Sequence, residues 1–216
     1  ATYGSPLNKH HAYMARLVRT APFAGAMVGI AFDATTHSGV LRNIWVDGQR
    51  HRNSTWLQLA TNVEIRGGSN VVVTNNFFSG SLGWTSLQSR GAYNGRPCAG
   101  LKVTNNVITA YASKHEEAGH FTDGLSIACE NSTVTNNGIV DATDVGIVLF
   151  PAADVVQKSL VKYNTIVSAG NSAFAALGYD SYIPSKKGET ISNFTGAIMS
   201  NNTLWTSPET HFIFGL

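Results

Sequence analysis

The phrase Val-Thr-Asn-Asn occurs at residues 73–76, 103–106 and 134–137, and weaker copies, Val-Lys-Tyr-Asn and Met-Ser-Asn-Asn, begin at Val161 and Met199. Val73, Val103, Val134, Val161 and Met199 are separated by 30, 31, 27 and 38 residues. A period in this range signals a solenoid. Short β-branched pieces such as VEIRG, VVVTNN and GIVLF, divided by Gly, Asn and Ser, make its units strands. The expected fold is all-β, a parallel β-helix in which each strand pairs with its counterpart one turn on, about 4.8 Å away.

Equivalent residues of such coils stack. The second Asn of each phrase is expected at a bend, where its side chain bonds nearby backbone groups and a left-handed conformation is tolerated; down the solenoid these residues form an internal ladder. Cys98 lies five residues before Val103, and Cys129 five before Val134. The two cysteines therefore share a rung position, with Cα atoms about 5 Å apart. A stack of buried thiols and a disulfide both fit, and the register match favours the disulfide, which would imply secretion.

Only 13% of residues are charged and the formal net charge is +2. This is too apolar for disorder, too poor in Glu, Lys and Leu for a helical bundle, and without the basic footprint of a nucleic-acid binder. No apolar run reaches the length of a membrane span, and the start, ATYGSPLNKHH, lacks the regions of a signal peptide. A signal already removed, or a place within a longer chain, would account for that. Sequons at Asn53, Asn131, Asn193 and Asn201 agree with an extracellular glycoprotein. Asn131 reads as a turn residue and, with Asn53, is a candidate acceptor; Asn201 overlaps the repeated phrase and is expected to be buried in the ladder.

Over most of residues 39–216 the repeats resemble the pectin-lyase-like superfamily of right-handed parallel β-helices. The resemblance implies a fold rather than an activity, since the superfamily spans lyases, hydrolases, esterases, tailspikes and adhesins. Residues 1–38 are read as an N-terminal segment covering one end of the solenoid, with a short helix over residues 13–19.

Counting seven residues past the second Asn of a phrase reaches Asp144, Asn171 and Glu209 in successive coils. The preceding coil carries an insertion, YASKHEEAGHF. With it looped out, T-D-G-L-S-I superimposes on T-D-V-G-I-V and Asp123 enters the same line. Two carboxylates one rung apart repel when ionised, which favours a shared proton, a cation or a division into acid and base. Either Asp at a strand entrance can equally serve as a turn cap, and Asp141 reads as a turn residue. The insertion adds His115, Glu116, Glu117 and His120. The two His are five residues apart, and Gly119 opposes a helix, so no metal site is expected, and no cofactor.

The stretch from Thr122-Asp123-Gly124 to Asp144 also resembles the N-T-D-G and D-D elements of polygalacturonase-type glycoside hydrolases, and that resemblance implies catalytic roles for Asp123 and Asp144. Val145 stands where the second Asp of the pair would be, and neither a G-H-G nor an R-I-K element is found. Trp84 and Tyr111 are candidate sugar-stacking rings, with Asn171 and Glu209 as polar substrate contacts. The expected function is therefore a secreted β-helix that binds a polysaccharide and cleaves it, by hydrolysis through Asp123 and Asp144 or by elimination with a base such as His120. The alternative is a fibre, tailspike stalk or adhesive component that self-associates through uncapped ends, the apolar close HFIFGL being the feature that favours it.

Overall fold

The computed structural model describes residues 15–18, 28–48, 60–93, 96–109, 121–150, 157–180 and 193–215. They are all-β, in three large sheets that are parallel throughout and one small three-stranded sheet. The first large sheet, here the ladder sheet, stacks Val40–Arg42, Val72–Thr74, Lys102–Thr104, Thr133–Thr135, Leu160–Lys162 and Ile198–Ser200. The second, the middle sheet, holds Ala15–Val18, Ile44–Asp47, Phe77–Ser79, Val107–Thr109, Gly138–Val140, Thr165–Ser168 and Thr203–Thr206. The third, the site sheet, holds Val28–Phe32, Thr61–Ile65, Thr85–Ser89, Asp123–Ile127, Val145–Leu149, Ala173–Tyr179 and Phe212–Phe214.

The chain visits these sheets in turn and then repeats the circuit, each strand pairing in register with the strand one circuit later. This arrangement is compatible with a parallel β-helix. Three apolar stacks fill the interior. Leu41, Val73, Val103, Val134, Val161 and Met199 are opposite one another in the ladder sheet. Val46, Phe78, Ile108, Ile139 and Ile166 form the middle stack. Val63, Leu87, Leu125, Ile147 and Leu177 form the third. Most are wholly buried, and their close packing is the main apolar contribution to stability.

The repeated phrase divides its labour between its two last residues. The first Asn, at positions 75, 105, 136 and 201, takes the left-handed conformation (φ 55° to 57°), as does Tyr163 (φ 59°), and turns the chain from the ladder sheet to the middle sheet. The second Asn keeps negative φ and forms a ladder of Asn76, Asn106, Asn137, Asn164 and Asn202, buried at its first four rungs and half-buried at Asn202. Each Oδ1 from Asn106 onward accepts from the Nδ2 of the preceding rung, at 2.9–3.0 Å. The expectation of a left-handed second Asn is thus corrected by one residue. Asn201, exposed at its turn, is likewise outside the ladder, and its sequon is open to solvent.

Residues before 39 already contribute strands: Ala15–Val18 pairs with Ile44–Asp47, and Val28–Phe32 with Thr61–Ile65. The short helix expected over residues 13–19 is replaced at Ala15–Val18 by this parallel pairing, which continues the middle sheet by one more strand. Cys98 and Cys129 form a disulfide with a Cα–Cα distance of 4.7 Å. It lies where the chain returns from the site sheet to the ladder sheet, and the Glu130 N–H donates to the Cys98 carbonyl beside it (3.0 Å). Among the described residues no helix is long and apolar enough to cross a membrane.

Candidate functional site

Asp123 opens its strand opposite Thr85 of the preceding coil, and its N–H donates to the Trp84 carbonyl (2.7 Å). The entrance is held by threonines. Thr122 Oγ1 donates to the Gly83 carbonyl (2.8 Å), and the Thr122 N–H donates to Thr143 Oγ1 of the next coil (2.9 Å). Both Thr122 and Thr143 are wholly buried, so the T-D pairs of the two coils clamp each other.

Strict alternation along T-D-G-L-S-I would put Asp123 and Ser126 on opposite faces. They meet instead. A Cβ on Gly124 would lie 2.4 Å from the Gly146 carbonyl and 2.8 Å from Ile139 Cγ2, so this position faces the interior, and the buried Leu125 beside it does too. Two successive inward residues return Ser126 to the face of Asp123. Ser126 Oγ lies 2.8 Å from Asp123 Oδ2 and 2.8 Å from Thr85 Oγ1, while Thr85 Oγ1 donates to the Leu87 carbonyl (3.0 Å). The other oxygen, Oδ1, accepts the Val145 N–H (3.0 Å).

Asp144 stands next to this carboxyl, with its N–H donating to the Thr122 carbonyl (3.2 Å). The register that sets Leu125 opposite Ile147 places Asp144 opposite Thr122, one residue from the rung of Asp123. The pair still interact. Burial, then the negative charge of Asp144, hold Asp123 well above the ordinary carboxylate range; the Val145 N–H opposes the shift, and Asp180 adds to it.

Trp84, half-buried, immediately precedes Thr85 and so sits on the coil before Asp123. Its Nε1 is buried and has no hydrogen-bond partner among the described residues. Asn171 and Glu209 are placed elsewhere. The pairing of Thr165 with Thr203 extends to set them opposite each other in the turn after the middle sheet, while the pairing of Val145 with Ala175 leaves Asn171 three residues short of the position opposite Asp144. Asp141 is the turn residue expected: with φ 58°, its Oδ1 accepts the N–H groups of Ala169, Gly170 and Asn171 at 2.6, 2.9 and 3.3 Å. The structure therefore brings Asp123, Asp144 and Trp84 together and sets Asn171 and Glu209 apart from them. His120, Tyr111, His115, Glu116, Glu117 and Asn53 lie outside the described residues. Asn131 is exposed, in a left-handed turn (φ 51°).

Two features were not foreseen in the sequence. The Ser126 hydroxyl, with that of Thr85 behind it, reaches Asp123 only because the strand places two residues inward in succession. Further along the same sheet, buried Glu64 is gripped by Arg66 Nε on Oε2 (2.7 Å) and Arg90 Nε on Oε1 (2.5 Å). Glu64 and Gln88 are paired in register, and the two arginines follow the two strands, so this triad closes the far end of the face that Asp123 opens. Compared with family models, with curated proteins and with solved structures, the chain shows no match.

Proposed function

We propose that this chain is an exported right-handed parallel β-helix of the pectin-lyase-like kind that binds a polysaccharide and hydrolyses it at Asp123 and Asp144. The observation that carries this reading is the carboxyl pair at the strand entrance, where one member is held toward its protonated form by burial and by the charge of the other. That division supplies an acid and a base in one site. Asp123 hands its proton to the bridging oxygen as the bond from that oxygen to the anomeric carbon breaks. Asp144, ionised, takes a proton from the water whose oxygen bonds to the same carbon. Trp84, half-buried, offers an indole face for the sugar. The disulfide supports an oxidising compartment, and Asn131 is an accessible acceptor for a glycan.

The test is incubation with a panel of acidic and neutral polysaccharides, following reducing ends and the absorbance of unsaturated products together. New reducing ends without unsaturation are expected. Unsaturated products would replace hydrolysis by elimination and move the base to a residue such as His120. No product from any substrate would remove the enzymatic reading.

A second reading, a structural or adhesive solenoid, is favoured by one feature. The coil of Ile198–Ser200, Thr203–Thr206 and Phe212–Phe214 exposes Ile198, Leu204, Trp205, Ile213 and Phe214 at 40–53%. An apolar patch of this kind marks contact with another surface. Light scattering at increasing concentration separates the readings: a constant monomer mass removes self-association, and growing rods support it.

A further inference from the structure

We propose that Thr85 and Ser126 are positioning residues, a buried hydroxyl chain that lodges a proton on Oδ2 of Asp123. Resting on the acid role given to Asp123 above, the assignment comes from counting protons. Three oxygen pairs are at bonding distance: Thr85 Oγ1 to the Leu87 carbonyl (3.0 Å), Ser126 Oγ to Thr85 Oγ1 (2.8 Å) and Ser126 Oγ to Asp123 Oδ2 (2.8 Å). Each hydrogen bond needs one proton, and a carbonyl has none to give. The two hydroxyls carry two. With Thr85 donating to Leu87 and Ser126 donating to Thr85, the third bond exists only if Asp123 is a neutral acid donating from Oδ2 to Ser126.

The other end of the carboxyl agrees with this polarity. Oδ1 becomes the carbonyl oxygen of a neutral acid, and it accepts the Val145 N–H. Thr85 and Ser126 are 1% and 4% exposed, which leaves little room for water to supply a missing proton. If Asp123 ionises, Ser126 must turn to donate to the carboxylate and Thr85 must turn to donate to Ser126, and the Thr85 bond to Leu87 is given up. In the free protein the chain thus holds the proton by a choice of direction that both hydroxyls make together, and the Asp123 O–H leaves Ser126 when it turns to the bridging oxygen of the substrate. The groups around Asp123 work the same way: the preceding strand presents neutral Thr85 and Gln88, with Arg90 at its far end engaged by Glu64, while the following coil presents Asp144 and, beyond it, Asp180.

Thr85→Val tests the direction of the chain. Without the Thr85 oxygen, Ser126 can donate only toward Asp123, which favours the carboxylate; the Asp123 ionisation constant should then rise about tenfold, one pH unit lower in midpoint. The readout is the side-chain carboxyl ¹³C shift of Asp123 across pH in the intact protein. Thr85→Ser should restore the parental midpoint, and Thr85→Ala carries the same expectation as Thr85→Val if valine disturbs the amide spectrum. An unchanged or higher midpoint in the folded Thr85→Val protein would overturn the relay, because a chain that runs from Thr85 through Ser126 to an ionised Asp123 loses a supporting donor in that variant. The titration needs no substrate. A lowered midpoint in a protein that cleaves no polysaccharide would leave the relay standing and sink the hydrolase, whereas cleavage abolished by Asp123→Asn beside an unmoved Thr85→Val midpoint would do the reverse.

Discussion

Asn137 Oδ1 accepts two hydrogen bonds from Asn106 one coil before it, from the backbone N–H and from Nδ2, each at 3.0 Å. Asn106 Oδ1 does the same for Asn76, and its own Nδ2 also donates to the Val73 carbonyl at 2.9 Å. Every polar atom of the buried amide is therefore used, in a place where an unpaired group is expensive. Asn106→Ala should cost about 3 kcal/mol or more, because the Asn76 donors and the Val73 carbonyl lose their partner together. Exposed Asn105, left-handed at φ 57°, should behave differently. Asn105→Ala costs about 1 kcal/mol through backbone conformation, and Asn105→Gly almost nothing. Urea unfolding of the three variants checks this, and equal losses at the two positions would contradict the division of roles.

The period and the phrase made the coils legible because a solenoid repeats its local problem every turn, so the same residues answer it. The Cys98 and Cys129 register was readable for that reason. Within a coil, arithmetic is less secure. The bend belongs to the first Asn because that residue carries the positive φ, and its neighbour is left free to point inward; both are Asn, so composition could not tell them apart. Asp144 falls one residue from the rung of Asp123, and Asn171 four residues from it, because the number of residues between the middle and site sheets changes from coil to coil. Ser126 was invisible for a different reason. Its approach to Asp123 depends on Gly124 and Leu125 both facing the core, which breaks the alternation on which a strand is read.

The disulfide fastens the coil of Asp123 to the coil of Trp84. With a sequence separation of 31 between its cysteines, it should stabilise by about 3–4 kcal/mol on the chain-entropy account. Denatured, unreduced protein should show no free thiol, and Cys98→Ser with Cys129→Ser should lower the urea midpoint by the corresponding amount. Two titratable thiols would contradict the pairing.

Stability should depend on pH through Asp123. Its carboxyl titrates higher in the folded chain than in the unfolded one. Its contribution is thus fully present below the unfolded value of about 3.9 and is lost as pH rises through the folded value. Asp123→Asn mimics the neutral acid, with Nδ2 donating to Ser126 and Oδ1 still accepting from Val145. The variant should melt close to the parent at about pH 4 and above it at neutral pH, the gap widening with pH between. Thermal melts of both proteins over that range are sufficient. A gap that is constant with pH would place the shifted titration elsewhere.

Asp144 separates chemistry from architecture. Its charge is the second cause of the raised Asp123 titration, after burial, so Asp144→Asn should act twice. It removes the base, lowering turnover by about 10² or more, and it lets Asp123 ionise at lower pH, which moves the alkaline limb of the rate profile toward acid. The fold should survive, since the Asp144 N–H bond to the Thr122 carbonyl is a backbone contact that the substitution leaves alone. A residue that only caps the turn would give a different pattern: Asp144→Asn would keep turnover on the acid side and move only the alkaline limb through its lost charge, and Asp144→Ala would cost about 1 kcal/mol of stability. Melting curves and pH–rate profiles of the two variants therefore decide whether Asp144 belongs to the mechanism. Unchanged turnover in Asp144→Asn, on a polysaccharide that the parent cleaves, would take it out.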